Sequence, residues 1–405
     1  MRYFLSLLLS NFIFSLAFAQ DIEKLAHAFG MLPEISDAQL SPDGDKIVFL
    51  QNYQGETILV SKSLSDSTIP PVGIPYPGGK IDWVKWTSNE RVLVGVSFDD
   101  RVDISPVGNF IFPVDARLSK LVAMDWNGEN SLNPVPIVDR KVQPQFQANI
   151  VDFMMSDPDH ILVQIDVDEL GVVGVQKIAI NSRSKRYTKI LRGRFIILNY
   201  EADGNHVVRY GNGTTGIYGR TKQRYIAYYR FAEDEEWFEL YDIDLKQEIR
   251  PFEFVAFTED PEVIYILKSD KNGKHGLYKY NVSTKQVIEK ISEDEDYEVE
   301  YVELDDFGKP LWYSYHAEIP GIVYLTDFGK RVEAIFKKSF PGKYVEILSE
   351  TKDPSKVVFK VSASNDPGSF YILDLNNMQI EMIYYIYKEV DCIPSDQVGL
   401  IKGIA

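Results

Sequence analysis

One short pattern recurs seven times along the chain and constrains its fold more than any other feature. Each copy is a polar turn that contains Asp, Asn or Gly, followed by a short run of apolar or aromatic residues. The copies lie at residues 41–49, 87–94, 156–163, 201–208, 258–265, 304–312 and 351–359. Their starting points are 45 to 69 residues apart. Repeats of this length are typical of modules that bury their apolar surface by stacking on one another.

Each copy lies between strand-like segments. An extended segment precedes the turn, as at residues 80–86 and 252–257, and two further apolar segments follow it, as at 369–375 and 379–384. A polar turn between two such segments predicts an antiparallel hairpin. The sequence therefore predicts an all-β fold, a seven-bladed β-propeller of four-stranded antiparallel blades, over residues 35–386. A parallel α/β sheet is disfavoured because it requires helical patterns between the strands, and these are missing.

Three segments stand apart from the repeat. Residues 99–113 lengthen the second interval and are rich in Asp, Gly and Pro, so we expect a surface loop there. Residues 20–34 form an N-terminal segment in which an apolar spacing at 21–29 predicts one short helix. Residues 387–405 form a C-terminal tail or a remnant interdomain linker.

The first 19 residues have the pattern of an export signal. Arg2 precedes an apolar run that extends to Phe18 and ends in Ala17-Phe18-Ala19. This ending predicts cleavage between Ala19 and Gln20, and hence a periplasmic or secreted protein. A membrane anchor is disfavoured because the run is short against the roughly 20 residues that span a bilayer. No later segment reaches that length, so we expect no stable membrane insertion.

The charge balance disfavours one class of partner, and the cysteine and histidine positions indicate no metal or cofactor site. The chain has 60 acidic and 43 basic residues, a formal charge of -17, which disfavours nucleic-acid binding. Cys392 is the single cysteine, so no intramolecular disulfide is expected. The sequence identifies no cofactor-binding or metal-binding residue, because the histidines lie far apart in the chain: His27, His160, His206, His275 and His316.

Other patterns have both a functional and a structural interpretation, and we favour the structural one. The segment 211–216 matches Gly-x-Gly-x-x-Gly formally, but no helix is predicted after it. The acidic runs at 233–236 and 292–296 lack the spacing of a calcium loop and are interpreted as solvated loops. We assign five tryptophans to the contacts between blades: Trp83, Trp86, Trp126, Trp237 and Trp312. Six basic residues are assigned to a blade edge: Arg183, Lys185, Arg186, Lys189, Arg192 and Arg194.

Three of these segments carry a family resemblance. Residues 35–49, the Trp83 and Trp86 segment, and residues 369–375 resemble the propeller half of the prolyl oligopeptidase family of serine peptidases, the acylaminoacyl-peptidase and dipeptidyl aminopeptidase relatives in particular. In that family an α/β-hydrolase domain follows the propeller and carries the catalytic Ser, Asp and His. This sequence contains no Gly-x-Ser-x-Gly segment, so no catalytic residue is assigned and the chain is not expected to be an enzyme on its own. What the resemblance implies is the role of the propeller, which screens the active-site chamber and limits substrate size.

Three functional hypotheses follow. The first is an exported, non-catalytic propeller that binds a peptide or a protein. The second is the propeller half of a serine peptidase whose hydrolase domain is encoded separately or was lost by truncation. The third is an adaptor propeller of an envelope complex. The sequence names no binding residue for any of the three.

Overall fold

Seven antiparallel sheets make up the fold, and each is built from one continuous stretch of chain. A computed structural model describes residues 30, 32–104, 112–135, 145–165, 172–182, 187–194, 197–215, 223–292, 297–305, 307–315, 317, 321–363 and 366–387. We number the sheets blades one to seven in chain order. The predicted helix at 21–29, the export signal and the tail from residue 388 lie outside the described residues.

Five blades have four strands in sequential order. Blade one contains β1 Ile35–Leu40, β2 Lys46–Tyr53, β3 Glu56–Ser63 and β4 Val72–Pro75. Blade three contains β8 Ile150–Asp152, β9 His160–Ile165, β10 Gly174–Ala179 and β11 Tyr187–Leu191. Blade four contains β12 Asn199–Ala202, β13 Val208–Thr215, β14 Arg224–Tyr229 and β15 Phe238–Asp244. Blade five contains β16 Glu253–Phe257, β17 Val263–Ser269, β18 His275–Asn281 and β19 Gln286–Lys290. Blade seven contains β23 Tyr344–Glu350, β24 Lys356–Ala363, β25 Asp366–Asp374 and β26 Gln379–Tyr385.

The other two blades have three strands within the described residues. Blade two contains β5 Lys80–Trp86, β6 Arg91–Ile104 and β7 Phe112–Asp125. Blade six contains β20 Val299–Leu304, β21 Pro310–Tyr315 and β22 Gly321–Tyr324, and then helix α1, Asp327–Ser339. The sequence analysis did not predict this helix, which follows β22 where the five four-stranded blades continue with a fourth strand.

The prediction of a surface loop at residues 99–113 is wrong for the residues of this segment that the structure describes. There β6 and β7 continue as a paired hairpin, with Asp99 opposite Arg117 and Ile104 opposite Phe112. Asp and Pro argued for a loop, but the ladder that begins with Arg91 opposite Asp125 continues without a register shift, and Arg117 forms an ion pair with Asp99 across it at 3.4 Å. Residues 105–111 lie outside the described residues.

The core is divided into seven clusters, one between each pair of neighbouring blades. Val48 of blade one packs with Val94 of blade two, and Leu93 on the opposite face of β6 packs with Ile161 of blade three. Further clusters join blades three and four, four and five, five and six, and six and seven. The last joins blade seven to blade one, through Val358 and Phe49. Because the first and last blades share a cluster, the sheets form a closed ring, which confirms the predicted seven-bladed propeller.

The first strand of each blade is the innermost. Contacts between neighbouring sheets include β1 with β5 and β23, and β8 with β12. The fourth strands lie at the outer edges of their sheets. β19 is exposed along its whole length and β4, β11 and β26 contain no fully buried residue, whereas β15 is partly buried. Each first strand pairs with its second strand across a register shift. Such bulges increase the local twist of a strand and redirect side chains.

No helix among the described residues is long and apolar enough to cross a membrane.

Candidate functional site: the acidic inner strands

Every one of the seven inner strands carries at least one acidic residue. These residues are Asp37, Asp82, Asp152, Glu201, Glu253, Glu300, Glu303, Glu346 and Glu350. Of these seven described strands, only β5 carries basic residues, Lys80 and Lys85. Because the inner strands surround the axis of the ring, these acids place an excess of negative charge around it, although Asp152 is engaged by His206 at 2.6 Å. A channel lined by one sign of charge concentrates ligands of the opposite sign.

Glu201 on β12 is the most unusual of these acids. Its side chain is exposed to solvent. Burial by the surrounding protein nevertheless raises the pKa of its carboxyl to about 7. Desolvation disfavours the charged form of a carboxyl, and it is the one cause of this shift. No charged partner among the described residues contributes to this shift, and a cation brought beside Glu201 would favour its charged form.

Asp37 on β1 connects blades one and two. Its Oδ2 accepts the backbone N–H of Val84 at 2.9 Å, and its Oδ1 accepts Gln39 Nε2 at 2.8 Å. Burial raises the pKa of Asp37, although these hydrogen bonds and the nearby charge of Lys85 oppose the shift. Asp37 has a positive φ of 51°, the left-handed conformation that Asp tolerates better than most residues. This conformation lies at the bulge of β1, where it allows the carboxylate to reach the neighbouring inner strand.

A second acidic group joins the inner strands of blades six and seven. Burial raises the pKa of Glu346 on β23, an effect that Lys360 opposes and Glu303 reinforces. The Nζ of Lys360 lies 4.0 Å from Glu346 Oε2, at the limit of an ion pair. Tyr301 donates its hydroxyl to Glu303 Oε2 at 2.7 Å. One lysine against two neighbouring carboxylates leaves this group with net negative charge.

The carboxylates with raised pKa values define what the channel can bind. Desolvation disfavours their charged form, and a cation placed beside them restores it. The inner strands are therefore suited to ammonium or guanidinium groups. Among the described residues there is no group of three or more His, Cys, Asp or Glu side chains arranged to hold a metal ion.

The structure places the tryptophans as predicted, in the contacts between blades. Trp86 and Trp312 are both 3% exposed. Trp83, Trp126 and Trp237 are partly buried and pack against the clusters between blades. Trp86 and Trp312 belong to these clusters themselves, so the tryptophans contribute to the core between blades.

Other patterns from the sequence lie away from the axis. Residues 211–215 of the glycine pattern are in β13, and the next described element is the strand β14. The acidic run at 233–236 is an exposed turn. Lys189 lies in β11, the outer edge of blade three, as predicted for the basic stretch. Residues 183–186 and 293–296, like Ala19 and Gln20, lie outside the described residues.

Two features of the histidines and acids were not predicted from the sequence. His160 bonds Asp157 in its own turn, at 3.0 Å. His206 lies between Asp152 and Ser156 of the neighbouring blade. The sequence contains a weak indication of the inner acids, because each lies in the extended segment that precedes a repeated turn. Only the closed ring shows that these segments lie together around one axis.

The fold is shared with peptidase structures of low sequence identity. No family model matches this sequence, and no curated protein matches it. A prolyl endopeptidase structure aligns over 90% of this chain and 52% of its own, with 11% identity and a TM-score of 0.51. Prolyl oligopeptidase B from Galerina marginata aligns over 93% of this chain and 54% of its own, with 11% identity and a TM-score of 0.52. The chain thus spans about half the length of these proteins, which fits the propeller half that the sequence resembles.

Proposed function

We propose that the ring is a binding module whose axial channel takes the cationic part of a peptide or protein ligand. The observation that carries this proposal is the acid on each of the seven inner strands, opposed by two lysines on one strand. A non-catalytic binding role agrees with the sequence, which has no Gly-x-Ser-x-Gly segment. Export stays a prediction of the N-terminal signal, and N-terminal sequencing of the mature protein at Gln20 would check it.

Support for a peptide ligand comes from both chemistry and fold. Peptides carry positive charge on the amino terminus and on Lys and Arg, the groups that desolvated carboxylates bind best. Galerina marginata prolyl oligopeptidase B, which shares the fold at 10% identity, has been observed with a bound 35mer substrate. We extend only the class of ligand, a peptide, to this chain.

The proposal is tested by calorimetric titration with a blocked tetralysine peptide, whose charge does not depend on its termini. We expect Glu201→Gln and Glu346→Gln each to weaken binding by about threefold to tenfold, the effect of one screened charge pair. Glu235→Gln is the matched control, because it removes the same charge from the exposed turn at 233–236. Equal losses in all three variants would show that binding follows net charge alone and would contradict a channel site.

A second candidate function is supported by the half-length alignment to prolyl oligopeptidases. In this hypothesis the ring screens the active site of a hydrolase domain that is encoded separately from this chain or was lost from it by truncation. The channel would then admit the substrate by charge. The two functions are distinguished by translating the DNA downstream of the codon for Ala405 in all three frames. A Gly-x-Ser-x-Gly segment within an α/β pattern favours the gating role, and its absence from all frames favours the binding module.

A further inference from the structure

Three polar side chains form a hydrogen-bonded chain between blades three and four. Ser156 Oγ lies 2.5 Å from His206 Nε2, and His206 Nδ1 lies 2.6 Å from Asp152 Oδ2. Asp152 ends β8, Ser156 lies in the turn before β9, and His206 lies in the turn before β13. The packing of β8 beside β12 brings the two turns together.

The hydrogen bonds determine the direction in which each group donates. The backbone N–H of Met154 donates to Asp152 Oδ1 at 2.6 Å, which orients the carboxylate. Asp152 Oδ2 is an acceptor for His206 Nδ1–H, and in the neutral tautomer that makes this bond Nε2 is an acceptor for the Ser156 hydroxyl. This order of donors is the one by which a Ser-His-Asp triad activates its serine.

Exposure and backbone conformation also fit a reactive site. Ser156 is exposed, whereas the side chains of His206 and Asp152 are 21% and 16% exposed. A reagent can therefore reach the serine, while the base and its carboxylate are shielded. Met154 and His206 have φ values of 50° and 66°, in the left-handed region. Strained residues of this kind concentrate at functional sites.

The turn that carries Ser156 also offers a donor for a negative oxygen. Asp157 N–H bonds Met154 O at 2.7 Å, which closes a turn with Met155 and Ser156 at its centre. The N–H groups at the centre of such a turn take no part in the closing bond. The N–H of Ser156 donates to no backbone acceptor in the described part of the chain. An oxyanion formed at this turn would find in it a backbone donor that no other backbone group of the described residues uses.

We propose that Ser156 is an activated nucleophile that takes acyl groups from small carboxylic esters. Ser156 Oγ attacks the ester carbonyl carbon while its proton moves to His206 Nε2. The tetrahedral intermediate loses the alcohol, which takes that proton from His206, and leaves an ester bond on Ser156. A water molecule, deprotonated by His206, then hydrolyses this ester to the free acid and restores the serine hydroxyl. Asp152 is a positioning residue, because it acts through His206. This activity goes beyond the proposed binding of a cationic ligand, does not depend on that binding, and would replace the non-catalytic part of the proposed function.

The experiment treats the purified chain with a serine-reactive fluorophosphonate probe and identifies the labelled peptide by mass spectrometry. We expect labelling at Ser156, loss of that label in Ser156→Ala, and at least tenfold slower labelling in His206→Asn. Asn tolerates the left-handed backbone of residue 206 but provides no imidazole base. Ser88→Ala is the matched control and should label as the parent does, because Ser88 lies in the equivalent turn of blade two and accepts only backbone N–H groups there.

Hydrolysis of p-nitrophenyl acetate should follow the same order among the variants. The parent protein is sufficient to test whether Ser156 is reactive. If Ser156 stays unlabelled in the folded parent chain, the proposal is overturned whether or not any variant folds. Equal labelling rates in the parent and in a folded His206→Asn variant would also overturn it, and would leave the three residues as a hydrogen-bonded bridge between blades. Labelling at Ser156 would correct the expectation from the sequence that the chain has no catalytic residue.

Discussion

Glu201 shows how the fold changes the chemistry of a single residue. In an exposed turn its carboxyl would be ionised throughout the neutral range, whereas in the channel its pKa is raised to about 7. The residue type and the repeat were readable from the sequence. The shift was not, because it depends on strands from other blades that surround the carboxyl only when the ring has closed. The contact of His206 with Asp152 and Ser156 could not be predicted either, because these residues are 50 or more positions away in sequence and meet only when two blades pack together.

The raised pKa predicts how ligand binding depends on pH. Below pH 7 Glu201 takes up a proton and loses its attraction for a cation, so the affinity for blocked tetralysine should fall between pH 8 and pH 6. The folded pKa lies above the usual 4.5, so the contribution of Glu201 to folding stability decreases as pH rises from about 4.5 to about 7. Titration at both pH values checks the binding effect. A Glu201→Gln variant that keeps the full pH dependence of the parent would contradict this assignment.

At the scale of elements, helix α1 shows where strand-based prediction reached its limit. Thr326 caps the helix by accepting the N–H of Gly329 at 3.0 Å, and Asp327 lies in its first turn. Val332 and Phe336 are buried and one turn apart, a spacing that predicts a helix rather than a strand. The signal was therefore present in residues 326–339. The regular four-strand repeat of the other blades led to a strand being expected there.

The buried face of this helix gives a stability prediction. Phe336 is 2% exposed, and its ring centre lies 4.4 Å from that of Phe359 in blade seven. Replacing Phe336 with Ala should lower the free energy of unfolding by about 3–5 kcal/mol, because it removes a large side chain from a packed core. Lys337→Ala is the matched control, since this side chain is 74% exposed. Urea unfolding of both variants tests the prediction, and similar losses would mean that α1 is not part of the core between blades six and seven.

At the scale of the whole molecule, the described residues close the ring without exchange of strands between blades one and seven. Each sheet is continuous in sequence, so blades one and seven are joined by their shared cluster and a few hydrogen bonds. Leu40 N–H donates to Ser349 Oγ at 3.1 Å, and Lys356 Nζ donates to Gly44 O at 2.9 Å. The number and order of the blades could be predicted from the repeat, because each repeat must bury its faces against its neighbours. The composition of the channel could not, because it depends on which strand of every blade lies innermost.

The central claim is that the acidic channel is the binding site. Its most direct test is a crystal structure of the chain grown with the blocked tetralysine peptide. We expect density for the peptide along the axis, with lysine ammonium groups within hydrogen-bond distance of the carboxylates of Glu201 and Glu346. Density confined to the outer strands or to the exposed turn at 233–236, with an empty channel, would contradict the account.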